Sequence, residues 1–396
     1  MGRLDRKQAE FNLRHLRAFS TVVEEGSLTR AATICAVSQP AITQAVGKLE
    51  AQLEEPLLER TSSGVFTTDI GRVFLDRVNR ALARLDSAFA VMAPRLRLTA
   101  TIAQLEALIA VRETGNFTLA ARRMGLAQPT VHRAVARLEK EAVRPLFARE
   151  SRGLVPTRAG EALAVAARLA FAELAQARME VAELRGRDAG RIVIGALPLS
   201  RAYRLPAAIV RFRQSWPNMP LRIVTGSYSE LLKELRSGEI DFIIGALRDP
   251  LPINDVEQRS LFDDELAIVA SPRHPLATKA HVEIADLVRY AWVVAASGIP
   301  TRMHFDRIVA SAAESPLSII ETSSMILMRE ILIASDHLGC VSRHQAQAEV
   351  RSGALVILPI NLDGTARRIG ITTRTGWKPT RSQADFLDIL DALDEA

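Results

Sequence analysis

Residues 16–71 recur, without a gap, as residues 105–160. At the offset of 89 about a third of the positions are identical, among them Gln39/Gln128, Pro40/Pro129, Leu49/Leu138, Glu50/Glu139, Pro56/Pro145, Arg60/Arg149 and Gly64/Gly153. A small module carried twice limits what the chain can become, because each copy has to bury its own apolar positions or share them with the other. In each copy an apolar-periodic stretch stops at a Gly, a short Ala-Ala segment follows, and a turn leads to a stretch that opens on a polar triplet containing Gln-Pro. That order predicts a helix-turn-helix, and with it DNA.

In copy one Leu13, Leu16, Phe19 and Val23 recur at helical spacing up to Gly26, and Ser27 is placed to cap the next helix. Copy two repeats this with Leu105, Leu108, Val111, Gly115 and Asn116. Ala31-Ala32 and Ala120-Ala121 let the second helix approach the first closely. The third helix starts at SQPAIT or AQPTVH, with the proline in the first turn. Its inward face is Ile42, Val46 and Leu49 in one copy and Val131, Val135 and Leu138 in the other. A Gly flanked by β-formers then predicts a two-stranded wing, so each copy reads as a winged helix, over 12–71 and 98–157. Long Ala-, Leu- and Arg-rich helices follow, at roughly 69–93 and 158–186, as linkers over 72–97 and 158–187. Their apolar stripes are wide for solitary helices, and the simplest partner is the same helix of a second subunit.

The segment Arg185-Gly-Arg-Asp-Ala-Gly190 marks a change of grammar. From there to residue 396 strands and helices alternate, which predicts parallel sheets covered by helices. Two such lobes fit: lobe I over 190–270 and 345–396, lobe II over 271–344.

Charge follows the same division. The net +6 splits as +3 over residues 1–97, +4 over 98–189 and −1 over 190–396, so the excess sits where the repeat sits, as contact with phosphates requires. At 48% hydrophobic and 24% charged the chain is globular rather than disordered. Cys35 and Cys340 stand far apart with no CxxC or Cys/His cluster beside them, which points to a reducing cytoplasm and no metal site. Neither a secretory leader nor a membrane span is expected.

The run Leu126-Ala127-Gln128-Pro129-Thr130-Val131, with Leu138-Glu139, Pro145-Leu146-Phe147, Arg149, Gly153 and the later GRIVIGA, resembles a LysR-type transcriptional regulator. Residues 98–396 alone match the length and order of a complete family member. Copy one, with Ser38-Gln39-Pro40-Ala41-Ile42-Thr43 and Leu49-Glu50, resembles the same DNA-binding domain, so the first 97 residues read as a duplicated head. The resemblance implies tandem winged-helix heads with linker helices, ahead of a two-lobed α/β effector domain like a periplasmic binding protein. It implies binding to double-stranded promoter DNA as a dimer or tetramer, under control of a small-molecule effector. GALPLSR, GEIDFIIGALRDP and LFDDELAIVASPRHPL are similar to the galactose-binding-protein regulator subgroup, which implies a sugar or a related metabolite, with an organic acid also open.

A winged helix presents the start of its third helix to base edges while basic side chains meet phosphates. In copy two the candidates are Gln128, Thr130, His132, Arg133 and Arg137, with Arg149 and Arg152 on the wing. In copy one they are Ser38, Gln39, Thr43, Gln44, Lys48 and Arg60. Residues 127–160 carry net +4 and the aligned 38–71 net −3, which favours copy two on electrostatic grounds. For Arg60 and Arg149 a salt bridge within the protein competes evenly with a phosphate contact. For the effector, the turns after successive strands put forward Ser200, Ser227, Thr301, Arg302 and Ser323. Ser227 stands three residues before Glu230, a capping-box pattern, so a purely local role competes with ligand binding. No P-loop, GxSxG, HExxH or GxGxxG motif is present, so no catalytic residue is expected. A ligand-insensitive DNA-bridging protein and a solute carrier domain are the competing readings.

Overall fold

The computed structural model describes residues 11–62, 64–151, 153–187, 189–251, 253–310, 317–362 and 364–393. Two compact units divide the chain at Arg191/Ile192.

The first unit contains α1 (Leu13–Glu25), α2 (Leu28–Ile34), α3 (Gln39–Leu53), the antiparallel hairpin β1 (Leu58–Thr61) and β2 (Gly64–Thr67), and the long α4 (Asp69–Met92). After a single turn, α5 (Leu96–Thr99), the series repeats: α6 (Ile102–Thr114), α7 (Phe117–Met124), α8 (Gln128–Ala142), the hairpin β3 (Phe147–Glu150) and β4 (Gly153–Pro156), and α9 (Arg158–Leu184). Boundaries follow local chemistry. Gly26 and Gly115 end the first helices in the left-handed region, where a residue without Cβ is unstrained. Ser27 and Asn116 cap the second helices, and Thr68 and Thr157 cap the long ones. Glu50 accepts from the backbone N–H of Leu57 at 2.9 Å, and Glu139 accepts from Leu146 at 2.8 Å, which explains why a Leu-Glu pair recurs near the end of the third helix.

Gly71 and Gly160 fix the same junction in each copy. A Cβ on either would lie well inside 3.0 Å of a backbone carbonyl, that of Leu57 or Leu146. The wide stripes of the long helices are satisfied differently from the expectation. α4 and α9 of the same chain pack along each other, so the partner expected from a second subunit is supplied within the chain. Phe74, Val78, Leu82, Leu85 and Phe89 of α4 and Leu163, Ala167, Ala170, Leu174 and Val181 of α9 are all buried in one continuous core.

The second unit has two mixed sheets. The elements run β5 (Ile192–Ala196), α10 (Arg204–Ser215), β6 (Leu221–Val224), α11 (Tyr228–Arg236), β7 (Phe242–Ala246), β8 (Val256–Asp264), β9 (Leu266–Ala270), α12 (Ile284–Leu287), β10 (Trp292–Val294), α13 (Pro300–Ala310), β11 (Ile319–Glu321), α14 (Met325–Ala334), β12 (Leu338–Ser342), α15 (Arg343–Arg351), β13 (Val356–Ile357), β14 (Arg367–Arg374) and α16 (Arg381–Asp391). The first sheet has the order β6-β5-β7-β14-β8 and the second β11-β10-β12-β9-β13. The alternation predicts parallel sheets, but neither sheet is wholly parallel: β14 runs antiparallel to β7 and β8, and β9 antiparallel to β12 and β13. These are the strands around the crossings between lobes, where the chain passes from one sheet to the other without a covering helix. The lobe boundaries shift for the same reason. Leu266–Ala270 and Val356–Ile357 hydrogen-bond in the second sheet, so lobe II begins after Asp264, not at 271, and extends beyond 344.

Candidate nucleic-acid interface and effector cleft

The third helices α3 and α8 begin with Gln-Pro, and neither N-cap residue, Ser38 or Ala127, turns its side chain back onto the helix. The first-turn N–H groups therefore lack a side-chain cap, the state in which a helix start accepts an anion. Along α8, Val131, Val135 and Leu138 are buried, which turns Gln128, Thr130, His132, Arg133 and Arg137 to the surface. His132 leans on the Phe117 ring of α7, 5.1 Å between centroids, and Arg133 Nε donates to the Pro129 carbonyl at 3.2 Å. No carboxylate pairs with Arg133, Arg137 or the wing residue Arg149 among the described residues. Arg152 lies outside the described residues.

In copy one Ser38, Gln39, Gln44, Lys48 and Arg60 are exposed and Thr43 is half-buried, with Gln39 Nε2 at 3.5 Å from the Thr43 hydroxyl. Arg60, like Arg149, has no ion-pair partner among the described residues. The acidity of copy one turns out to be largely committed elsewhere: Glu50 holds backbone N–H groups, Glu55 pairs with Arg185, and Glu54 lies 3.5 Å from Arg187. The net −3 of residues 38–71 thus overstates the repulsion that α3 would offer an anion.

In the second unit the sequence-derived candidates all fall after the carboxyl ends of strands, yet most are occupied by local bonds. Ser200 is buried in a 3₁₀ turn and donates to Leu197 at 2.8 Å. Ser227 caps α11 and exchanges bonds with Glu230 in a capping box, its local role. Arg302 donates to Asp306 at 2.6 Å and to the Ala295 carbonyl at 3.2 Å, and it pairs with Glu321. Ser323 is exposed. Thr301 alone reaches across the lobes, its hydroxyl accepting from Arg367 at the start of β14.

Arg367 belongs to a seam that sequence reading missed. It donates through Nη2 and Nε to Asp264 Oδ2 at 2.8 and 3.2 Å, while Ser342 and His344 hold Oδ1 at 2.9 and 2.7 Å. Burial alone would raise the Asp264 carboxyl, but these partners outweigh it and keep the group below the usual carboxylate range. The His344 ring lies over Tyr203 of the first lobe, 4.1 Å between centroids.

Arg248, just past β7, is the second missed residue. Its guanidinium sits 4.5 Å over the Tyr228 ring, and among the described residues no carboxylate pairs with it. Burial, with a contribution from Arg367, pulls its pKa down. The Tyr228 hydroxyl is shut off from solvent without a hydrogen-bond partner among the described residues, and burial raises its pKa. A half-buried cation without a counterion beside an unused hydroxyl is a place for an anion that also accepts a hydrogen bond. The sequence signal was the Gly-Ala-Leu-Arg run following a strand, visible but with nothing to single out its arginine.

Third helices without side-chain caps, two-stranded wings and a two-lobed α/β unit with a polar seam define a class, the DNA-binding regulators with an attached effector-binding domain. The profile described as a bacterial regulatory helix-turn-helix protein of the lysR family matches residues 13–72 and again 102–161. That of the LysR substrate binding domain matches 185–394. The chain is 36% identical to the HTH-type transcriptional regulator GalR of Pseudomonas putida over 371 residues, 92% of this chain and 93% of that protein. It is 30% identical to the uncharacterized HTH-type transcriptional regulator YdcI of Escherichia coli, over 68% of this chain and 88% of that protein. The fold is shared with a full-length OxyR variant from Pseudomonas aeruginosa (TM-score 0.55, 24% identity, 74% of this chain and 95% of that one). It is shared also with CbnR, a LysR family transcriptional regulator (TM-score 0.52, 20% identity, 74% and 99%). The chain belongs to the LysR family and is a transcription regulator with a DNA-binding part and an effector-binding domain. Among the described residues no helix is long and apolar enough to cross a membrane.

Proposed function

We propose that both copies are DNA-reading winged helices in tandem, that copy two supplies most of the phosphate affinity, and that a small organic anion bound between the lobes controls the complex. The tandem reading is supported by the same element order and by helix N-cap positions that correspond at an offset of 89, and by the family profile matching each copy. The alignment with GalR leaves out only 8% of this chain, fewer residues than either copy holds, so each copy falls at least in part within it. Arg133, Arg137 and Arg149, exposed and without a carboxylate partner among the described residues, carry the assignment to copy two, because each can displace counterions from a phosphate.

Arg248 carries the effector reading. An uncompensated guanidinium favours a carboxylate over the sugar that the subgroup resemblance implied, since a neutral sugar leaves its charge unanswered. The carboxylate would draw the two lobes together through Arg248 and Tyr228 on one side and the Thr301 turn on the other. The chain acts in the cytoplasm and without catalysis of its own, in keeping with relatives that are regulators. Thermal shift of the full chain against a panel of small carboxylates and neutral sugars tests this. A carboxylate that stabilises wild type and not Arg248→Gln supports the reading; stabilisation by a sugar that Arg248→Gln keeps rejects it.

A further inference from the structure

We infer that a single chain is a complete two-headed reader: α4 and α9 pair with each other within the chain and not with their counterparts in another, so two unlike heads address two unlike half-sites of one DNA duplex. The inference rests on both copies reading DNA, as proposed above.

From Gly71/Gly160 onward the two long helices align without a gap, so every α4 residue has a counterpart in α9 at the offset of 89. Their buried apolar seams would accept like or unlike helices. The charged positions decide. Arg77, fully buried, donates Nη1 to Glu173 at 2.9 Å and to Gln176 at 2.8 Å, and Nε and Nη2 to Glu180 at 3.0 and 2.7 Å. Arg80 and Arg84 lie 3.2 and 3.7 Å from the same Glu173. The counterpart of Glu173 in α4 is Arg84, and the counterpart of Arg77 in α9 is Ala166. Two α4 helices crossing in the same way would therefore set Arg77, Arg80 and Arg84 against a second Arg84 with no carboxylate present. Two α9 helices would set Glu173 on Glu173 with no arginine. Like charges out of water are strongly unfavourable, so only the unlike pair closes.

The ends of the helices close the unit reciprocally. Beyond α4, Arg95 donates to the carbonyls of Glu141 and Lys140, both at 2.9 Å, at the end of α8 in copy two. Beyond α9, Arg185 pairs with Glu55 and Arg187 approaches Glu54, at the end of α3 in copy one. Arg178 of α9 covers the Phe11 ring at 4.3 Å. Each long helix thus ends on the third helix of the other copy, which makes the pair a two-fold-like unit built from one chain. The two reading surfaces differ at Thr43/His132, Gln44/Arg133 and Lys48/Arg137, so the half-sites they prefer differ too.

The test uses full-length protein and a duplex that the wild type selects from a random-sequence pool. Two variants silence one head each through exposed residues, Gln39→Ala/Lys48→Ala and Arg133→Ala/Arg137→Ala. Each is expected to lose hydroxyl-radical protection on one side of the wild-type footprint, on opposite sides, with affinity reduced about tenfold for Gln39→Ala/Lys48→Ala and by more for Arg133→Ala/Arg137→Ala. An equimolar mixture of the two, unfolded and refolded together, is expected to give no more than the two half-footprints. Recovery of the wild-type footprint and affinity on mixing would show heads pairing between chains and overturn the inference. So would an unchanged footprint for Gln39→Ala/Lys48→Ala, which would leave copy one without a half-site. A wild type that enriches no duplex rejects DNA reading itself and takes this inference with it.

Discussion

Asp264 and Arg367 form a two-bond ion pair, 2.8 and 3.2 Å long, on the two strands by which the chain crosses between the lobes. The carboxylate is fully buried, so its partners replace water and hold the lobes in register. Removing the charge leaves the Arg367 guanidinium largely buried without its counterion, and Asp264→Asn is expected to cost about 3 kcal/mol. The pH dependence has a definite sign. Because the folded carboxyl sits below its unfolded value, the stabilisation is complete above about pH 4 and is lost as pH falls through the folded value. Urea melts of the full chain between pH 7 and pH 3 are expected to show a steeper acid loss for wild type than for Asp264→Asn; parallel curves would remove Asp264 as the cause.

Glycine substitutions discriminate between junction and surface. Gly71→Ala and Gly160→Ala each drive a methyl into a backbone carbonyl and are expected to destabilise by about 3 kcal/mol. Gly47→Ala is the opposite case. It is exposed in the middle of α3, a Cβ there meets nothing within 4 Å, and copy two already carries Ala136 at the aligned position. A gain of about 0.5–1 kcal/mol is expected from helix propensity. Thermal melts of the three variants check the order; equal effects would contradict it.

What could be read from residue order is whatever depends on neighbours in sequence. The helices of both copies, their Gly and Ser or Asn boundaries and the wings all follow from periodicity and capping. The partner of a stripe does not: Val78 and Leu82 announce a buried face without saying whose helix covers it, and the α4–α9 pairing was assigned to a second subunit. β8 is hard to read from sequence because it is an edge strand whose run Glu257, Gln258, Arg259, Ser260 carries few apolar residues. α15 is equally obscure in sequence, because RHQAQAEVR is polar nearly throughout. Asp264, Arg367 and Arg248 are distant in sequence, and nothing short of the sheet topology brings them to one seam. Ser200 and Ser227 show the converse, since a hydroxyl at the start of a helical turn satisfies its own backbone first.

The thiols are expected to differ sharply. Cys340, in the central region of the second sheet, is buried and its thiol is pushed up to about 12 by loss of solvation, whereas Cys35 is half-exposed. Labelling of the native full chain with a maleimide at pH 8 is expected to modify Cys35 and spare Cys340. Rapid modification of both would contradict the described burial.

A charge transplanted between the copies tests their asymmetry. Gln44 is the counterpart of Arg133 and is exposed on α3. If copy one already lies on DNA, Gln44→Arg adds one phosphate contact, raising affinity at low salt and steepening the dependence of log affinity on log salt by about 0.9. An unchanged slope would place Gln44 away from the backbone.

Whether α8 reads DNA is decided by a footprint on the region upstream of the chain's own gene, wild type beside Arg133→Ala/Arg137→Ala. Loss of protection on one side of the wild-type footprint, with the remainder retained at lower affinity, is the result expected of a two-headed regulator. Full protection by the double variant, at wild-type affinity and salt dependence, would contradict it.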